Sequence, residues 1–376
     1  MTLTGVTLSA PFLDPESLRA IDTPALVIDL GRMDAAVDAM AAGMAERGVS
    51  LRPHAKTHKS LEVARRQVQA GAAGLTIATI GEGEVFADGG FDDLFIAYPL
   101  VPGPAKGRRL RALAERTHLT IGIDSPTGAQ AVADALGPVR DAVRVLVEID
   151  AGGLRSGAPP DEAGTVGAAA RRLGLPVMGV FTHGGHSYAS AEMRGAAADD
   201  EVRSLTEAAA SLAGVGIESL VVSAGSTPTA LASARGAVNE ERPGTYVFGD
   251  RQQAALGSIG PDGIAAAVVA TVVSVNRGAR RFVVDAGGKM LGKDVAPYLD
   301  GHGEIPALGG LTVARLADHH GTVDAPDGAA LPAVGQVVAV LPNHICPIVN
   351  LVDAFLVVRD GRLVDTWTVD ARGRNG

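Results

Sequence analysis

The apolar positions of this chain follow two patterns in succession. Short apolar, strand-like runs recur at residues 25–30, 51–56, 75–79, 94–98, 119–123, 143–149, 177–183, 219–224 and 245–248. Most gaps between them hold Ala-rich segments with helical spacing, as at 104–116, 126–136 and 190–213. Continuous apolar strands alternating with helices predict a parallel sheet covered by helices. Eight repeats after residue 50 favour closure into a (β/α)8 barrel of the TIM type. A doubly wound open sheet is the alternative, but no glycine-rich dinucleotide turn follows the first strand. From about residue 255 the runs at 265–276, 281–285, 311–317, 337–341 and 354–364 are β-branched or alternating, separated by Gly, Pro and Asp. They predict a second, mostly antiparallel β domain. The expected division is a barrel over residues 22–254 and a β domain over 255–376, with the irregular, proline-punctuated residues 1–21 associated with the latter.

Composition narrows what this architecture does. Lys+Arg 33 against Asp+Glu 42 gives a net charge of -9, and aromatics are 3%, which argues against a nucleic-acid partner. No run of about 18 apolar residues is present to span a membrane, and residues 1–10 lack the basic start and apolar core of a signal peptide. The expectation is a cytoplasmic protein acting on a small molecule. The single cysteine, Cys346, excludes an internal disulfide and draws attention to that thiol.

Candidate chemistry gathers at predicted strand ends. The segment Arg52-Pro53-His54-Ala55-Lys56-Thr57-His58-Lys59 places Lys56 where α/β barrels keep reactive groups. Lysine forms Schiff bases once its amine is neutral, and His54, His58 and Lys59 lie close enough in sequence to lower its pKa by like charge. The turn after the fifth run presents Arg155; the one after the sixth carries His183, His186, Ser187 and Tyr188. Ser226 and Thr227 follow the seventh, and Gly244, Thr245 and Tyr246 lie around the eighth. Two Gly/Ser/Thr loops on the last barrel strands are a common phosphate cradle. In the second domain His344 and Cys346 stand two apart on an extended segment, so imidazole and thiolate face one side and can grip one metal ion with open positions left for substrate. Asp318-His319-His320 has no spacing that ties it to that ion.

Together RPHAKTHK, TIATIGEGEVFADGGFDDLFIAYPL, EIDAGGLRSG, THGGHSY, SAGSTPT, RPGTYVFGD and PNHICP resemble the D-threonine aldolase/D-serine dehydratase family of alanine-racemase-like pyridoxal-phosphate enzymes, in order from about residue 22 to residue 372. The resemblance implies an eight-stranded barrel plus a β domain, a homodimer, pyridoxal 5'-phosphate and a divalent metal. By position it makes Lys56 the Schiff-base lysine and sets Arg155 against the pyridine nitrogen. It gives Thr227, Gly244 and Thr245 to the phosphate, with Ser226 and Tyr246 beside them, while His183 and Tyr188 on their rim loop join the candidate cofactor residues. His344 and Cys346 would be metal ligands with a part in catalysis. Aldolases of the family typically carry His-x-Asp, suited to manganese; dehydratases carry His-x-Cys, suited to zinc. The cysteine here implies a D-serine/D-threonine dehydratase giving a 2-oxo acid and ammonia. The alternative is a D-threonine aldolase releasing glycine and an aldehyde. An amino-acid racemase is disfavoured, since no second-domain tyrosine motif is seen. A non-catalytic cofactor carrier would lack the second domain. His186, Ser187 and the His319-His320 pair depart from the best-known members and leave D-serine, D-threonine and D-3-hydroxyaspartate open as substrates.

Overall fold

The first apolar run forms a strand, β1 (Ala25–Asp29), but it does not join the sheet that follows. In the computed structural model, which describes residues 12–376, a sheet of eight parallel strands comes next: β2 (Ser50–Leu51), β3 (Leu75–Ile77), β4 (Asp93–Pro99), β5 (His118–Ile123), β6 (Arg144–Ile149), β7 (Val177–Thr182), β8 (Val221–Ala224) and β9 (Glu240–Glu241). Their spatial order is β2-β9-β8-β7-β6-β5-β4-β3. The two edges meet where Ala73 N–H donates to Leu51 O, Thr76 N–H donates to Pro53 O, and His54 bridges Thr76. The sheet therefore closes into a barrel, as the alternating pattern predicts. Inside, Phe95 and Phe181 meet edge to face at 5.0 Å, with the Arg242 guanidinium carbon 5.2 Å from the Phe181 ring. Gly122 permits this filling, since a Cβ there would stand 2.7 Å from Phe181. The covering helices start where the sequence supplies caps: Thr79 accepts from Glu82 N–H before Ile80–Asp88, and Ser125 accepts from Gly128 N–H before Pro126–Leu136.

The eighth strand is not where hydrophobicity places it. The run at 245–248 contains a 3-10 turn, Thr245–Val247, and the strand is instead the charged pair Glu240–Glu241. Each carboxylate is compensated inside the protein: Glu240 pairs with Arg52 at 2.7 Å and accepts from Ser223 Oγ, and Glu241 accepts from Ser233 Oγ. A strand whose burial rests on such pairs leaves no apolar run to read. The expected strand at 51–56 is likewise shorter, since Lys56 lies in a 3-10 turn, Ala55–Thr57, just past the His54 bridge.

The chain then builds β10 (Ala266–Asn276), β11 (Arg281–Val284), β12 (Gly303–Ile305), β13 (Leu311–Leu316), β14 (Gly321–Asp324), β15 (Val337–Pro342), β16 (Ala354–Arg359) and β17 (Arg362–Thr368). Antiparallel pairing in the order β10-β11-β14-β13-β12-β15, with β15 back on β10, closes a six-stranded barrel. The eleven residues of β10 explain the closure. Its first half lies between β1 and β15 and is buried on both faces; its second half turns to β11 and is largely exposed. β1 continues the sheet through β16 to β17. β1 thus belongs with this second sheet, because its partners are β10 and β16.

The compact units divide accordingly. One comprises residues 12–38, Thr57–Glu62 and Thr245–Arg372; the other comprises Ala39–Lys56, Val63–Gly244 and Gly373–Gly376. This differs from a single cut at residue 254. Of the expected association of residues 1–21 with the β unit, residues 1–11 lie outside the described part. Phe12, Leu13 and Ile21 are buried against Val27, Val269, Leu341 and Val358 of that unit. Residues expected to be irregular include a helix, Pro15–Ala20, capped by Asp14. No helix among the described residues is long and apolar enough to cross a membrane.

Candidate active site

Lys56 lies beside two histidines, His54 and His183, in the barrel unit. Its backbone N–H donates to His54 Nδ1 at 3.4 Å, and His54 N–H donates to Pro243 O at 3.0 Å, tying the turn before Gly244 to the lysine segment. Burial, with the cations of Lys56 and Arg242, pushes the His54 imidazole well below its usual value. Burial and Lys56, joined by Arg155 and Arg242, bring His183 down to about 3, against the opposing hydrogen bond to Gly225. Because a carbonyl only accepts, the His183 Nδ1 within 3.1 Å of Gly225 O carries the proton and Nε2 keeps its lone pair. Both rings are neutral across the physiological range. Of the two other basic residues in the segment, His58 Nδ1 accepts Ser60 N–H, and Lys59 Nζ donates to Asn350 Oδ1 at 2.9 Å.

Arg155 pairs with Glu148 at 3.4 Å, and the two line one cavity with Asp150, Gly153, His183 and Gly185. Burial pushes the Glu148 carboxyl up, and Ser156 and Arg155 oppose it. Tyr188 lies 6.3 Å from His183 between ring centroids. Ser226 and Thr227 are buried at the turn after β8. The Ser226 hydroxyl is already shared with Thr229 at 2.9 Å and Ser187 at 3.1 Å, so it shapes that turn. The buried Thr227 hydroxyl and the left-handed turn at Gly225, φ +124°, fit a phosphate, while the Gly225 and Ser226 N–H groups are already donated to Glu201 Oε1 and Thr229 Oγ1. With Lys56, two neutral imidazoles and Arg155 in the same unit, the residues fit pyridoxal phosphate.

Gly244 is the last residue of the barrel unit at this crossing, and Thr245 and Tyr246 belong to the other. There Thr245 Oγ1 lies 3.8 Å from Cys346 Sγ, and Tyr246 is buried. The thiol lies 3.3 Å from Thr57 Oγ1. His344 Nδ1 contacts Asp294 Oδ2 at 2.6 Å, which fixes the tautomer and leaves Nε2 for a ligand. Burial pulls the His344 imidazole down, but Cys346, Asp250 and Asp294 carry it up to about 10. Asp250 fixes the segment: Oδ1 accepts Gln253 N–H at 2.9 Å, capping a short helix, and Oδ2 accepts Ile345 N–H at 3.1 Å between the two candidate ligands. Burial raises the Asp250 carboxyl to about 6. His344 and Cys346 do not share the expected extended segment: His344 is extended, but Cys346 lies in the first turn of the short helix Ile345–Val349, and among the described residues no group of three or more His, Cys, Asp or Glu side chains is placed to hold a metal. Removing the orienting carboxylate by Asp294→Ala is expected to weaken zinc affinity about 10- to 100-fold, read by competition with a chelating dye.

Sequence reasoning missed Arg242, Asp250, Asp294 and Thr57. Arg242, Asp250 and Thr57 stood inside quoted motifs without being singled out; Asp294 follows a glycine turn like many surface aspartates and carries no spacing signal.

Comparison with known proteins agrees with this architecture. Residues 28–252 match the family described as alanine racemase, N-terminal domain, and residues 265–358 match the serine dehydratase domain. The chain belongs to the alanine-racemase-like enzymes that carry this second domain. More narrowly, it is a member of the D-threonine aldolase/D-serine dehydratase family. It is 34% identical over 373 residues to the D-threo-3-hydroxyaspartate dehydratase of Delftia sp. strain HT23, covering 94% of this chain and 98% of that one, and the solved structure of that enzyme superposes with a TM-score of 0.87. It is 33% identical to a D-threonine aldolase of Arthrobacter sp., covering 98% and 97%. The crystal structure of the D-threonine aldolase of Filomicrobium marinum is 31% identical, with a TM-score of 0.85 and 94% and 96% covered.

Proposed function

We propose that the protein is a pyridoxal-phosphate- and metal-dependent lyase of D-3-hydroxy amino acids, acting as a dehydratase that yields a 2-oxo acid and ammonia. The observation that carries this reading is the His344–Cys346 pair, with Asp294 on the far nitrogen of the imidazole and hydroxyls around the thiol. An N/S donor set of this kind suits zinc better than manganese. The names of the relatives, a dehydratase and two aldolases, support a lyase on such substrates and leave the bond that breaks to be decided.

When bound, the cofactor supplies an electron sink for the substrate Cα, and the metal a Lewis acid toward the β-hydroxyl. Lys56 anchors the cofactor and, as a neutral amine, takes the Cα proton. His183 and His54, held neutral by burial, add no positive charge beside it and offer ring nitrogens as hydrogen-bond partners. Arg155, oriented by Glu148, holds a permanent cation toward the pyridine nitrogen. Thr227 and Gly244 hold the phosphate, with Ser226 shaping the loop, while the Thr57 and Thr245 hydroxyls position the Cys346 sulfur.

The aldolase reading is favoured by one specific observation, the equal likeness to named aldolases. Product analysis with D-threonine separates the two. The zinc-loaded protein is expected to give 2-oxobutanoate and ammonia in equal amounts. Acetaldehyde and glycine would instead establish the aldolase. D-serine and D-threo-3-hydroxyaspartate, assayed alongside, rank the substrates.

A further inference from the structure

Two fully buried carboxylates, Glu201 of the helix Met193–Gly214 and Glu241 of β9, take no part in the chemistry above. Glu201 Oε1 accepts the backbone N–H of Gly184 at 2.7 Å and of Gly225 at 3.2 Å, one on each of the loops that follow β7 and β8. Glu241 Oε1 accepts Ser233 Oγ at 2.7 Å. Among the described residues the Oε2 atom of each carboxylate is buried without a hydrogen-bond partner. The two groups meet at Gly225: Glu201 holds its N–H, and a Cβ there would stand 2.5 Å from Glu241 Oε2.

A buried carboxylate oxygen left unpartnered is costly, and two buried carboxylates at one glycine resist both being ionised. The surrounding charges leave room for one proton. Glu240 is matched by Arg52 and Glu148 by Arg155. Arg242, whose guanidinium donates to Ser223 Oγ and Thr182 O, balances one of the two carboxylates; Thr229 and Ser233 contribute only hydroxyls. We infer that Glu201 and Glu241 share a single proton through their unpartnered oxygens, and that this pair is the positioning device that fixes the spacing of the loops carrying His183 and Ser226-Thr227. The pair's effect on the cofactor rests on the pyridoxal-phosphate reading, whereas the shared proton does not. Burial raises both carboxyls above their ordinary range, and the Glu201 charge drives Glu241 higher still.

The sign of the pH effect follows. A folded-state pKa above the unfolded value means the native protein holds a proton that the unfolded chain releases, so stability falls as pH rises toward the folded pKa. Denaturant unfolding of the full-length protein with saturating cofactor, compared between about pH 6 and about pH 8, should show the wild-type unfolding constant rising up to about tenfold per pH unit relative to Glu201→Gln and Glu241→Gln. Each glutamine supplies an N–H where the shared proton stood, so both variants should bind pyridoxal phosphate within about threefold of wild type, read by its absorbance. Glu201→Ala, which frees the Gly184 and Gly225 amides, should bind it about tenfold more weakly or worse. Parallel pH profiles for wild type and both glutamine variants would overturn the shared proton. Undiminished cofactor affinity in Glu201→Ala would overturn the positioning role; if that chain does not fold, Glu201→Asp, one methylene short of both amides, gives the same reading. Wild-type protein that takes up no cofactor would fail the pyridoxal-phosphate reading, and the pH comparison would still decide the pair.

Discussion

Lys56→Ala is expected to abolish the visible absorbance of lysine-bound cofactor and to lower turnover by roughly 10³-fold or more, since both the covalent anchor and the proton acceptor are lost. The assignment does not rest on a lysine near a strand end alone. Lys59, three residues on, is occupied: its ammonium donates to Asn350, and its backbone sits in the left-handed region at φ 50°. Lys56 instead lies beside His54 and His183, two imidazoles that burial and neighbouring cations keep neutral. Lys59→Ala should therefore keep the absorbance, and the pair of spectra checks the assignment. An unchanged spectrum in Lys56→Ala would remove Lys56 from the mechanism.

The sequence carried most of the barrel because seven of its strands are apolar runs between helices, and an apolar run is what burial on both faces requires. The strand it concealed, Glu240–Glu241, obeys a different physics: its carboxylates are buried by virtue of Arg52, Ser223 and Ser233, which lie 188, 17 and 8 residues from the carboxylates they meet. Periodicity also could not tell that the first run pairs with β10 and β16, because a strand's pattern records burial and not the identity of its neighbours.

The same divide runs through the site. Lys56, Arg155, His183, His344 and Cys346 were legible as residue types suited to a chemistry, at strand ends or at ligand spacing. What holds them was not. Glu148 behind Arg155, Glu201 across two loops and Asp294 behind His344 act through contacts 7 to 50 residues apart in sequence. A carboxylate on an Ala-rich helix, as Glu201 is, reads as a solvated face until the fold turns it inward. Thr245 shows the converse: its place in a glycine-flanked motif points to phosphate, while its hydroxyl lies against the Cys346 thiol.

That thiol is where the reaction class can be tested most directly. Cys346→Ala is expected to leave the cofactor absorbance intact, because the lysine, the imidazoles and the phosphate loops belong to the barrel unit. Bound zinc should fall from about one per chain toward none, and turnover should drop roughly 10²- to 10⁴-fold, the range that several kcal/mol of Lewis-acid stabilisation represents. Loss of the β-hydroxyl is the step that most needs this help, since hydroxide is a poor leaving group. Retro-aldol cleavage needs the hydroxyl deprotonated instead, a task a neutral base can share. The residual activity of the variant is therefore informative: dehydration should fall further than any aldehyde release measured in the same samples. Wild-type protein that keeps full dehydratase turnover after chelation would remove His344 and Cys346 from the chemistry and leave them a structural pair.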